Sequence, residues 1–317
     1  MKIEKDAIHN FVAATARKWK LDTRVSLNNK TGEDLFVNAR VRNQGGGFLR
    51  SAQDIGRIQA GAAGNFDLQS LAHSLGVVAS PLDQEELVFV FSLVPERFRR
   101  EKGLVEIDPK EVFRLNGCQD HYIEHYDPET GLASGVLYQV PPMNDSRFSP
   151  HGSLLMQAPK VLLGDWENTF FRLYFFSSQP HLNREALLRC VLRNEQGVPL
   201  LSWEEPIHSH GLLDLDIKET IRSRGLKLDR AIGVTTFLYF QAFCPDASMI
   251  CLTFLFRDSD RTFCLEHSLP PVYYDPEIRG NRKNAIIRHL METWPPEPGD
   301  LSAPLVASSN WKKEKGT

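Results

Sequence analysis

The stretch that decides the fold runs from Ala186 to Gly225: ALLRCVLRN (186–194), EQGVPLLS (195–202), EEPIHSHG (204–211) and LDIKETIRSRG (215–225). Leu35–Gly76 carries the same parts in the same order, with LFVNARVRN (35–43), three glycines and FLRS, IGRIQAG (55–61) and FDLQSLAHSLG (66–76). Arg42-Asn43 aligns with Arg193-Asn194 at an offset of 151, Gly61 with Gly211 at 150, and Asp67 and Gly76 with Asp216 and Gly225 at 149. Further along, YDPE at Tyr126–Glu129 recurs at Tyr274–Glu277, an offset of 148 that sets His121 and His125 against Leu269 and Tyr273. Slips of one residue are tolerated best in loops. The pattern therefore predicts an internal duplication: two tandem domains, each too long to be a unit of a short solenoid.

Side-chain alternation sets the fold class. In LFVNARVRN, Val37, Ala39 and Val41 share one face and Asn38, Arg40 and Arg42 the other; Leu188, Cys190 and Leu192 do the same against Arg189 and Arg193. A period of two marks strands with one wet side, and Asn43-Gln-Gly-Gly-Gly and Asn194-Glu-Gln-Gly supply hairpin turns. Asp67 and Asp216 read as N-caps of one short helix per domain, closed by Gly76 and Gly225. The most apolar runs, Leu87–Val94 and Val234–Phe243, read as central strands covered on both sides. The segments VFRLNG (112–117), HYIEHY (121–126), MICLTFLF (249–256) and TFCLEH (262–267) read as further strands.

The expected class is mainly β, with two tandem β-sandwich-like domains and a terminal helix at each end. Ile8, Phe11, Val12, Ala16 and Trp19 fall on one face of a helix within residues 1–22, expected to pack on its own first domain, with docking onto a partner or membrane surface as the alternative. The first domain spans 23–145 and the second 146–280, joined near the proline-bearing stretch Pro141–Pro150. Asn281–Thr293 reads as a helix within a C-terminal segment 281–317.

Composition narrows the partners. The 317 residues carry a formal charge of −3 and 42% hydrophobic residues, giving no basic signature for nucleic acid. Five cysteines, odd in number and without a CxxC pair, fit reduced thiols in a cytoplasmic protein. No apolar run approaches the roughly 20 residues of a membrane-spanning helix.

Two histidine pairs are the candidate metal ligands. His208-Ser-His210 would place two imidazoles on one strand face about 6.6 Å apart, with Asp214 (or Asp216) as a third ligand. His121, Glu124 and His125 match HxxEH, which chelates from a helix; on a strand the two histidines lie about 13 Å apart and cannot share an ion. No GxSxG elbow, catalytic-cysteine signature or phosphate loop is present. The expectation is a non-catalytic binding or assembly protein without a cofactor, working through protein partners or self-association as a homo-oligomer. The alternatives are a metal-dependent enzyme with its site in one domain at His208/His210, or a small-ligand carrier.

Overall fold

The computed structural model describes residues 1–77, 85–117, 120–138, 154–156, 160–162, 168–176, 185–208, 210–225, 237–244, 248–257, 259–267 and 287–300. In chain order, the N-terminal half holds β1 (Lys2–Glu4), β2 (Asn10–Ala14), β3 (Asp22–Asn28), β4 (Leu35–Asn43), β5 (Phe48–Ile58), β6 (Ala63–Asp67), α1 (Leu68–Ser74), β7 (Leu87–Pro95), β8 (Leu104–Glu106), α2 (Pro109–Gly117), β9 (His121–Tyr126) and β10 (Ala133–Tyr138). The C-terminal half holds β11 (Leu154–Met156), β12 (Lys160–Leu162), β13 (Asn168–Phe176), β14 (Glu185–Arg193), β15 (Pro199–His208), β16 (Leu212–Asp216), α3 (Ile217–Ser223), β17 (Phe237–Cys244), β18 (Ser248–Arg257) and β19 (Thr262–His267). The chain is mainly β, and the registers of these sheets are antiparallel throughout.

One sheet of the first half has the order β2-β7-β4-β5, the other β10-β9-β3-β6. In the second half β17 pairs with β11 and β12 on one side and with β14-β15 on the other, and the companion sheet runs β19-β18-β13-β16. Every residue of β7 is buried, as a run apolar but for Ser92 requires of a strand with neighbours on both edges and cover on both faces. Phe89, Phe91 and Val37 from one sheet and Val25, Leu27 and Ile123 from the other meet in one apolar core. In the second half, Leu188, Cys190 and Leu192 of β14, Phe240 and Ala242 of β17 and Ile217 and Ile221 of α3 form a second core.

Local details repeat between the halves. The Asp67 carboxylate accepts from Ser70 N at 2.8 Å and Asp216 from Glu219 N at 3.0 Å, capping α1 and α3. Glu219 pairs through its side chain with Arg222. Gly76 and Gly225 follow the two helices at φ 66° and 70°, a region glycine enters without penalty. In the hairpins, Arg42 Nη1 donates to Gly46 O at 2.8 Å and Arg193 Nη1 to Gly197 O at 2.9 Å.

The sequence misleads in three places. Residues 6–20 form no amphipathic helix: β2 is a sheet strand flanked by two 3-10 turns, Lys5–Ala7 and Arg17–Trp19. All five residues of β2 are buried, so these apolar side chains pack within their own half, as expected, but as a strand, and offer no face to a partner. VFRLNG is helical, within α2, not a strand; Asp108 at its start accepts from Lys110 N at 2.8 Å. The YDPE alignment also fails. Asp127 begins the turn from β9 to β10, whose counterpart in strand order is the β18–β19 turn, whereas Tyr274–Glu277, Leu269 and Tyr273 follow β19 and lie outside the described residues. Of the helix expected over Asn281–Thr293, residues 287–292 are helical; 281–286 lie outside the described residues.

Each half has its outer cover. Ile3, Ala7 and Ile8 pack with Val105, Ile107, Val112 and Leu115 in a cluster built from β1, β8 and α2. In the second half Ile287 and Leu290 pack on Phe243, with Met291 and Trp294 beside them.

The halves meet along an apolar seam. Leu252, Phe254 and Phe256 of β18, Phe263 and Leu265 of β19 and Leu212 of β16 join the core of the first half. Phe254 lies 4.3 Å from Trp19, centroid to centroid. Two ion pairs with nearly inaccessible carboxylates flank the seam, Lys18–Asp214 at 3.1 Å and Arg261–Asp127 at 2.6 Å. Leu212 N donates to Gln44 O at 2.8 Å, and a Cβ on Gly211 would sit 3.1 Å from that carbonyl, so glycine permits the close approach of the two turns.

Matched caps should have matched costs. Asp67→Ala and Asp216→Ala are each expected to lower stability by about 1 kcal/mol in urea denaturation, with the Asn substitutions losing far less. A loss confined to one helix would show that the two caps are not equivalent.

Candidate functional site

The HxH pair does not sit on one strand face. β15 ends at His208, which is exposed, while His210 is buried in the following turn at φ 62°, a turn closed by Gly211 N donating to His208 O at 3.0 Å. Asp214 lies on β16 with its side chain 2% exposed, paired with Lys18 across the seam. Asp216 caps α3. Among the described residues no group of three or more His, Cys, Asp or Glu is placed to hold a metal ion.

HYIEHY is the strand β9, with His121, Ile123 and His125 on its buried face and Tyr122, Glu124 and Tyr126 on the other. His121 and His125 are engaged separately. His125 Nδ1 lies 3.0 Å from Thr23 Oγ1, and the ring meets Phe254 edge-on. His121 stacks on His9, with their Nε2 atoms 2.7 Å apart. Glu124 faces Arg24 on the opposite side of the sheet.

The tautomers of the buried pair follow from one fixed donor. The backbone N–H of Asn28 donates to His121 Nδ1 at 3.1 Å, so that nitrogen accepts and the neutral ring carries its proton on Nε2. His121 Nε2–H then donates to His9 Nε2, which leaves the His9 proton on Nδ1, an atom with no partner among the described residues. Charging either ring would place a cation in an apolar site against a second imidazole. Burial, with Lys30 adding to it, holds His121 down to about 3. Burial and then His121 hold His9 well below its ordinary range. Both rings are neutral at physiological pH, as part of the bracing that ties the N-terminal segment to β9. His9 gave no motif in the sequence; only its place next to a buried strand would have marked it.

Two exposed surfaces stand out among the described residues. The first is β5, an outermost strand of its sheet, exposed at nearly every position from Phe48 to Asp54, with Phe48 59% and Leu49 43% exposed. The second is the outward face of the β10-β9-β3-β6 sheet, where the Arg24 guanidinium carbon lies 3.9 Å from the Tyr126 ring centroid. The basic run Arg97–Lys102 is neutralised in part: Arg97 pairs with Glu33 and Glu111, Arg99 with Asp54.

The neutral histidine pair sets a pH dependence. An unfolded histidine binds a proton near pH 6.5, while His121 in the fold resists it down to about 3. Between those values the unfolded chain holds more protons, so stability is fully present above about pH 7 and declines as pH falls below 6.5. The limiting slope is about 1.4 kcal/mol per pH unit for each such histidine. His121→Gln, which keeps one acceptor and one donor, is expected to flatten the decline in urea midpoint between about pH 6.5 and 5. An unchanged slope would place the titration elsewhere.

No family model matches the chain, and no curated protein matches it. Among solved structures it is similar to a glycosyl hydrolase family 2 member from Bacteroides cellulosilyticus (8% identity, TM-score 0.15, 81% of this chain and 25% of that one). It is also similar to a calcium-binding mutant of Bacteroides uniformis beta-glucuronidase 2 (10% identity, TM-score 0.17, 81% and 26%) and to Bacteroides uniformis beta-glucuronidase (10% identity, TM-score 0.16, 83% and 27%). The chain spans about a quarter of the length of these structures. TM-scores this low establish neither a shared fold nor a shared activity.

Proposed function

We propose that the chain is a non-catalytic binding and assembly protein built from two β-sandwich-like domains that arose by duplication. Support for the duplication comes from the matching strand orders, with β11 and β12 together in the place of β2, from the paired caps Asp67 and Asp216, and from the paired hairpin arginines Arg42 and Arg193. Support for the sandwich reading comes from the single core to which both sheets of the first half contribute. A cytoplasmic setting fits the reduced thiols of Cys190, Cys244 and Cys264.

The observation that carries the binding reading is β5. It spans eleven residues at a sheet edge and leaves both faces open over much of its length, whereas β15, at the same place in the second half, buries Pro199, Trp203 and Ile207. An open edge with large apolar side chains is a docking surface for another chain. Register shifts at Val37/Ala39 and Val41/Arg42, together with the left-handed Asp54, break the ladder, which disfavours runaway strand addition. Contact therefore runs through the side chains of Phe48 and Leu49, and a second copy is the partner tested first.

Size-exclusion chromatography with light scattering is expected to give a mass above the 36.0 kDa of one chain. Phe48→Asp/Leu49→Asp should bring it down to that value without moving the melting midpoint. A wild-type mass of 36.0 kDa at every concentration would refute self-assembly through β5.

A further inference from the structure

The outward face of the β10-β9-β3-β6 sheet is chemically unlike its counterpart. Register fixes its layout: Tyr126 stands between Ala133 and Asp22, Glu124 between Gly135 and Arg24 with Asp67 beyond, and Tyr122 between Leu137 and Ser26. Arg24 faces Asp67 and Glu124 just as Phe170 faces Asp216 and Phe254 in the other half, so Glu124 occupies the position of Phe254. Where the second half buries phenylalanines in the seam, the first presents two tyrosines and three carboxylates, Asp22, Glu124 and Asp67, against one guanidinium. Arg24 is 58% exposed at its side chain and Leu137 55% exposed, so this face is open to solvent.

Arg24 shows what the face holds. Its guanidinium stacks on Tyr126, and its Nη1 lies 3.9 Å from Glu124 Oε1. On the other side of Glu124 the same parts recur without a cation: the Tyr122 hydroxyl lies 3.4 Å from Glu124 Oε2, and no guanidinium or ammonium sits over the Tyr122 ring among the described residues. The ring is held down against β10, because Gly135 lacks the Cβ that would strike the Tyr122 hydroxyl and come within 2.6 Å of Ile123 O. The hydroxyl end of the ring thus lies over Gly135, and Tyr122 is only partly buried. A ring face beside a carboxylate is the setting in which a cation is attracted both by the quadrupole and by the charge.

We propose that this face binds an extended basic segment of a partner protein, an arginine or lysine side chain of which sits over Tyr122 against Glu124 as Arg24 sits over Tyr126. The charge balance of the face selects a cationic partner. Burial, and then Glu124, push the Tyr122 hydroxyl upward, consistent with a negative local field. The inference rests on the binding reading above but uses a different surface from β5.

Hexa-arginine amide is the probe, with hexacitrulline as its uncharged isostere, read by calorimetric titration on the full chain. Binding is expected to weaken at least tenfold with Tyr122→Ala and with Glu124→Gln, to survive Tyr122→Phe, and to be unaffected by Glu106→Gln on the distant β8. Hexacitrulline should bind at least tenfold more weakly than hexa-arginine, and added salt should weaken hexa-arginine binding. Equal hexa-arginine affinity in Tyr122→Ala, or equal affinity for hexacitrulline, overturns the proposal. So does binding of maltohexaose that depends on Tyr122 while hexa-arginine is indifferent to it, which would make the face a saccharide surface. The Phe48→Asp/Leu49→Asp variant should keep hexa-arginine binding, so failure here is separable from failure of assembly through β5.

Discussion

Phe254 holds this structure together. It is fully buried, lies against Trp19 from the first half, meets His125 edge-on, stacks with Phe256 and packs at a tilt against Phe263 from its own half. Burying a phenylalanine of this kind contributes about 1.5–3 kcal/mol, and five more apolar side chains from the second half share the same core. The flanking pairs Lys18–Asp214 and Arg261–Asp127 add register more than energy, since charges withdrawn from water return little net stability. The hydrogen bonds from Leu212 N to Gln44 O and from Leu265 N to Ser134 Oγ fix how the halves meet.

The seam also explains how one framework yields two surfaces. Both halves arrange their strands in the same order, yet the outward face of β18 is phenylalanine and leucine while that of β9 is tyrosine and glutamate. The second half spends its face on the contact with the first, and the first half's face remains wet. The half-specific covers follow the same division. β8 and α2 are inserted between β7 and β9, where the second half passes from β17 to β18 across only three residues. The second half draws its cover from residues 287–294 beyond its last strand.

Much of this was legible in the sequence because strand alternation and cap chemistry are local. β4, β14, α1, α3 and the strand assignment of HYIEHY all follow from side-chain period and from Asp67 and Asp216. The errors arose where local pattern is silent. β2 is buried on both faces, so Phe11 and Val12 carry no alternation, and a helical spacing could be fitted through them to Ala16. With β8 and α2 lying between β7 and β9, the offset between matching register positions goes from 149 at Asp67/Asp216 to 130 at Glu124/Phe254, which no drift of one residue at a time could reveal. HSH looked like a strand pair because sequence does not show that β15 stops at His208 and that His210 turns into the left-handed region. The His9–His121 contact spans 112 residues and depends on tertiary packing alone.

The central claim is that a shared apolar seam makes the two halves one cooperative unit. Differential scanning calorimetry of the full chain tests it most directly. A single transition whose calorimetric enthalpy equals its van't Hoff enthalpy is predicted, moving as a whole to lower temperature in Phe254→Ala. Two resolved transitions in the wild-type chain, or a Phe254→Ala variant that shifts only one of them, would contradict it.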